Sequence, residues 1–91
     1  MNKVNSRFHI ENGRLIKTSN GEPIPQEEPV IILRGRDHLA LPLMEHYREM
    51  CVKDGCNDYF LEEVDKSIEE FRQFKIQYYN RMKQPGVTKG L

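Results

Sequence analysis

Three prolines within seven residues, Pro23, Pro25 and Pro29, divide this chain more firmly than any other feature of it. Proline fixes its own φ and has no N–H to donate, so neither a helix nor a central strand can run through the connector 18–29. The apolar residues repeat differently on its two sides. Before it, Arg7-Phe8-His9-Ile10-Glu11 alternates polar and apolar, and Arg14-Leu15-Ile16-Lys17 follows after Asn12-Gly13. Asn-Gly between two such runs is the strongest short hairpin signal, because a type I′ turn needs positive φ at both central positions. Strands are therefore expected at 7–11 and 14–17.

After the prolines comes Val30-Ile31-Ile32-Leu33, the most β-prone stretch of the chain. An unbroken apolar run of this kind suits a strand buried on both faces, the central one of a small sheet. Beyond Arg34-Gly35-Arg36-Asp37 the spacing changes to three and four: Ala40, Leu43, Met44, Tyr47, Met50 and Cys51 mark a helix that begins between Asp37 and Leu41 and stops at Gly55. Asn57 or Asp58 caps a second helix, expected to run to about Lys83 and to be stopped by Pro85-Gly86. Its apolar stripe is Leu61, Val64, Ile68, Phe71, Phe74, Tyr78 and Met82. Residues 57–70 carry six acidic groups against Lys66, whereas 71–91 carry five basic groups and no acid. Two copies of such a helix could pair antiparallel, acidic half against basic half. The expected fold is α+β: a three-stranded, mainly antiparallel sheet, made of the N-terminal hairpin plus one buried strand, followed by two helices of which the second is long.

At 91 residues this is one domain, with a flexible N-terminus at 1–6, a β-rich part at 7–34, a helical part at 37–84 and a tail at 85–91. Only 37% of the residues are hydrophobic and none is Trp, so the core is small and a homo-oligomer is expected. Fourteen basic residues balance fourteen acidic ones. That argues against general nucleic-acid binding, which needs a cationic excess. No apolar run approaches the ~20 residues that span a bilayer, and the first ten residues hold no signal-peptide core. With only Cys51 and Cys56 there is no disulfide framework, and the chain reads as cytoplasmic with no membrane partner.

The junction Arg34-Gly35-Arg36-Asp37-His38 is the best candidate site. It lies where an apolar run hands over to a helix, whose first N–H groups are unpaired and attract anions. Two arginines there can grip a phosphate or carboxylate through paired hydrogen bonds, Gly35 lets the backbone come close, and protonated His38 adds a donor. Arg7 on the hairpin could strengthen the positive field. The plainer alternative is that the arginines pair with Asp37 or with connector glutamates while Asp37 caps the helix. The junction is not a P-loop, since the Gly-x-x-x-x-Gly-Lys pattern is missing. Cys51-x4-Cys56 has the wrong spacing for a zinc knuckle, and His9, His38 and His46 lie on three different elements. No metal, cofactor or catalytic residue is therefore expected, and the chain reads as a non-enzyme. Phe71, Phe74, Tyr78 and Tyr79 of the second helix are candidate interface residues.

Residues 21–37, Gly-Glu-Pro-Ile-Pro-Gln-Glu-Glu-Pro-Val-Ile-Ile-Leu-Arg-Gly-Arg-Asp, resemble a motif of small, mostly uncharacterised proteins encoded by bacteriophages and prophages. The likeness extends upstream through Glu11-Asn12-Gly13-Arg14-Leu15-Ile16 and covers roughly residues 7–48. It implies a phage accessory protein working in the host cytoplasm, with no defined reaction; accessory proteins of this size often counter host defence. The resulting expectation is a binding protein that sequesters a phosphate-bearing small molecule, such as a cyclic oligonucleotide or an ADP-ribose-type signal. The alternative is an inhibitor or adaptor of a host protein that works through the long charged helix.

Overall fold

The computed structural model describes the backbone of residues 2–3 and the whole of residues 7–86. The chain divides into two compact units, Met1–Ile31 and Ile32–Leu91.

The first unit is built on the Asn12-Gly13 turn. Both residues take positive φ, 52° and 74°, as a type I′ turn requires. The turn joins β2 (Phe8–Glu11) to β3 (Arg14–Lys17) in an antiparallel hairpin, Phe8 opposite Lys17 and Glu11 opposite Arg14. A two-residue segment, β1 (Asn2–Lys3), pairs along the β2 edge. Except for that pairing, the stretch expected to be flexible at 1–6 lies outside the described residues, as does 87–91 of the expected tail. His9 and Ile16 face each other across the hairpin, and both are buried. Burial of an imidazole demands hydrogen-bond partners. His9 has one at each ring nitrogen: Thr18 Oγ1 lies 3.0 Å from Nδ1 and a Glu11 carboxylate oxygen 3.3 Å from Nε2.

The buried third strand expected at 30–33 does not exist. The sheet is a two-stranded hairpin with the short β1 stub at its margin, and Val30, Ile31 and Ile32 are exposed in irregular chain. A strand needs a partner edge, and the hairpin has none left. On the β3 side the connector folds back: Lys17 N–H donates to Glu22 O at 2.8 Å, Ile24 N–H donates to Leu15 O at 2.9 Å, and Ile16 bridges Pro23. Proline is tolerated there because the pairing lies at an edge.

The second unit is a helical hairpin. α1 (Ala40–Lys53) carries Pro42 in its first turn, where a missing N–H costs nothing. It ends in a Schellman motif, with Gly55 N–H donating to Val52 O and Cys56 N–H to Cys51 O. Gly55 has φ 79°, a conformation that favours glycine. α2 (Asp58–Gln77) is capped by Asn57, whose side-chain oxygen accepts from Phe60 N–H at 2.8 Å. Among the described residues of this unit, Ala40 and Cys51 of α1 and Ile68 of α2 are the buried apolar ones. Arg48 of α1 holds Asp65 of α2 with two N–H donors, and Arg72 of α2 approaches Glu45 of α1 at 3.8 Å. No large side chain is fully buried among the described residues. No helix among them is long and apolar enough to cross a membrane.

α2 is also shorter than its sequence pattern predicts. It stops at Gln77 instead of continuing to about Lys83, and a single 3-10 turn, Tyr79–Arg81, follows. The cause is a non-local pairing. Lys83 N–H donates to Arg36 O at 2.7 Å and Lys83 O accepts from His38 N–H at 3.1 Å. These bonds tie the end of the chain to the segment that precedes α1, and a straight helix could not make them.

Candidate anion-binding cleft

The turn sequence Arg34-Gly35-Arg36-Asp37 is organised by its own short-range hydrogen bonds. Asp37 N–H donates to Arg34 O at 3.0 Å, closing one turn, and Ala40 N–H donates to Asp37 O at 3.0 Å, closing the next. Asp37 Oδ1 accepts from Leu39 N–H at 2.9 Å. This is the Asx turn that aspartate favours before a helix.

That arrangement changes the physical basis of the site. Helix N-termini attract anions through unpaired amides. Here the amides of Asp37, His38, Leu39 and Ala40 are all engaged within the protein. An anion would therefore be held by side chains rather than by the backbone at the start of α1. Asp37 does not cap α1 as the plainer alternative expects: the N-cap is Leu39, which has no side-chain cap, and the Asp37 carboxylate bonds only the Leu39 amide ahead of the helix. The expected ion pairs are missing as well: neither Arg34 nor Arg36 forms one with a described residue.

Both arginines are exposed and line a cleft of about 420 Å³, shared with Ile32, Asp37, Lys83 and the turn Gln84-Pro85-Gly86. Three cations face one carboxylate, and that carboxylate is already bonded to Leu39. Lys83 was not anticipated as a site residue. Its sequence neighbours mark it only as part of a helix tail, and the backbone bridge to Asp37 brings it to the cleft.

Gly35 is needed for packing. A Cβ at this position would stand 3.3 Å from Phe74 Cγ, so the turn rests on the Phe74 ring. That ring in turn meets Tyr78, with centroids 5.0 Å apart and planes tilted by 44°. The Arg81 guanidinium lies 5.3 Å from the Phe74 centroid and 4.8 Å from that of Tyr78, a cation–π arrangement. Phe74 thus supports the turn that carries the two arginines.

The remaining sequence candidates are distributed as follows. His38 is exposed and contributes its backbone N–H to the Lys83 bridge. Arg7 belongs to the first unit, where its guanidinium lies 5.8 Å from the Phe8 ring centroid. Of the expected interface residues, Phe71 and Phe74 are half-buried within the helical unit, while Tyr79 is 76% exposed. Among the described residues no three His, Cys, Asp or Glu side chains come together as a metal-binding group.

The electrostatics away from the cleft are those of a helix pair. The Arg48 hydrogen bonds hold the Asp65 carboxyl below the usual carboxylate range, and the Asp65 carboxylate raises Arg48 in return. Gln73 and Arg72 lower Glu69 through hydrogen bonds. Cys56 is pushed up, chiefly by desolvation and then by its hydrogen bond with Cys51. A raised thiol is a poor nucleophile.

No protein-family model, curated protein or solved structure matches this chain.

Proposed function

We propose that the protein is a non-enzymatic binding protein that holds a small phosphate-bearing ligand in the cleft of Arg34, Arg36 and Lys83. The observation that carries this reading is the charge imbalance there. Two guanidinium groups and an ammonium group surround a cleft of about 420 Å³, with no ion pair to a described residue at either arginine. Pockets for small ligands run from ~300 to ~1,000 Å³, so a nucleotide fits the space. Arginine suits phosphate because its planar fork donates two parallel hydrogen bonds. Sequestration requires nothing more than binding, and the phage-type motif of residues 21–37 makes a host signalling nucleotide the ligand to try first.

Thermal denaturation with a panel of ligands tests this directly. A ligand that binds only the native state raises its stability by ~2.7 kcal/mol at one hundred times its Kd. Cyclic dinucleotides, cyclic trinucleotides, ADP-ribose and inorganic phosphate form the panel. Tm should rise with at least one of the first three, and the rise should vanish in Arg34→Ala/Arg36→Ala. A flat response across the panel would refute the reading. It would leave the protein-interaction alternative, for which the exposed Tyr59, Ile76 and Tyr79 side chains are the available contacts. Recovery of the bound nucleotide unchanged, by chromatography, separates sequestration from turnover.

A further inference from the structure

Cys51 and Cys56 are the two cysteines of the chain, and the end of α1 brings them together. The Schellman motif sets Cys56 N–H on Cys51 O at 3.0 Å. Residues that share this longer bond of the motif stand on one side of the chain, and their side chains commonly touch. Gly55, at φ 79°, supplies the left-handed step that folds the chain back between them. The contact here is a hydrogen bond between the two thiols, both of which are free. Their surroundings differ. Cys51 is 5% exposed, whereas Cys56 is half-buried and reaches solvent.

Two thiols in hydrogen-bonding contact are poised for a disulfide, which needs its Cβ atoms within ~4.5 Å of each other. Desolvation, and then the bond to Cys51, pushes the Cys56 thiol up, so the pair rests protonated. A disulfide oxidant closes it in two exchanges. The Cys56 sulfur, its proton lost to water, attacks one sulfur of oxidised glutathione. A Cys56–glutathione disulfide forms, and one glutathione leaves as its thiolate. The Cys51 sulfur gives up its proton in turn and attacks the Cys56 sulfur, and the second glutathione leaves. Two protein thiols are thereby oxidised to one disulfide, and one glutathione disulfide is reduced to two thiols. The two protons lost by the cysteines end on the departing thiolates.

We infer that Cys51 and Cys56 are a site of reversible oxidation, which small disulfides of the glutathione class close into a clasp over residues 51–56. The clasp joins the last turn of α1 to the residue that precedes Asn57, the cap of α2. No large side chain is fully buried among the described residues. A cross-link that narrows the unfolded ensemble therefore adds appreciably to the stability of so small a core. The site stands apart from the anion-binding cleft and needs no ligand there.

The test is incubation of the full chain in glutathione buffers of varied oxidised-to-reduced ratio, then acid quenching, alkylation with N-ethylmaleimide and intact-mass measurement. The native protein should become a single chain about two mass units lighter that takes up no maleimide. Excess reduced glutathione should reopen it. The closure constant should be at least about tenfold larger in native protein than in about 8 M urea, because a disulfide that the native geometry favours stabilises that state in equal measure. Tm of the closed chain should accordingly exceed that of the open one by at least ~4 °C. Cys51→Ala should stop at the mixed Cys56–glutathione disulfide. Native wild-type protein that accumulates the mixed disulfide or a cross-linked dimer, closure no more favourable than in urea, or a Tm that does not rise would each overturn the inference.

Discussion

Lys83 is hydrogen-bonded through both sides of its peptide backbone to the residues on either side of Asp37, donating to Arg36 O at 2.7 Å and accepting from His38 N–H at 3.1 Å. The bridge places a cation at the cleft and fixes the turn that presents two more. Side chain and backbone can be tested apart. Lys83→Ala keeps the bridge and should weaken phosphate-ligand binding about tenfold, the ~1.4 kcal/mol of one charge-assisted hydrogen bond, with Tm unchanged. Lys83→Pro also removes the N–H donor and should lower stability by a further ~1 kcal/mol. Calorimetric titration and thermal melts of the two variants separate these effects.

Gly35 and Phe74 form a second coupled pair. Gly35→Ala forces a methyl group to 3.3 Å from Phe74 Cγ, so the ring must give way. A loss of roughly 1 kcal/mol is expected, at the low end for overpacking. Phe74→Leu alone should also destabilise, by trimming the support of the turn. The double variant should lose less than the sum of the two, and a double-mutant cycle in urea measures the difference.

The Arg48–Asp65 bridge predicts a dependence on pH. The folded pKa of Asp65 lies below its unfolded value, because Arg48 hydrogen-bonds the ionised form. The stabilisation is thus fully present above the ordinary carboxylate range and is lost as pH falls through the depressed folded value. Arg48→Ala should be less stable than wild type at neutral pH, and the gap should close in acid. High salt should narrow it too, since both side chains reach solvent. Urea denaturation at neutral and acidic pH is the measurement.

The hairpin turn supplies the last test. Gly13 has φ 74° and Asn12 has φ 52°. Gly13→Ala should cost ~1–2 kcal/mol in hairpin stability, the left-handed penalty of an L side chain. Hydrogen exchange of the amides in β2 and β3 should accelerate accordingly.

What could be read from the sequence was what neighbouring residues decide. Asn12-Gly13 fixed a turn, Asn57 a cap and Gly55 a helix end, because each acts within a few positions of itself. The run at 30–33 is irregular despite its β-prone composition, because composition reports only an appetite for a strand partner and not whether an edge is free. The β3 edge is occupied by Glu22 and Ile24 of the connector, on either side of Pro23. The end of α2 at Gln77 has a related cause. Tyr78 and Met82 keep the helical spacing, yet the bridge of Lys83 to Arg36 and His38 draws the chain out of the helix. Arg34 and Arg36 are legible in the sequence as a candidate site, whereas the bond from His38 N–H to Lys83 O and the arrival of Lys83 at the cleft depend on contacts distant in sequence.

Arg34 and Arg36 stand at the lip of the cleft, a few residues ahead of α1. Lys83 joins them only because its backbone bridge to Arg36 and His38 carries the far side of the helical hairpin to this turn. The third cation is therefore lost whenever that bridge opens, so the positive character of the cleft fades with local fraying, before the helical unit as a whole unfolds.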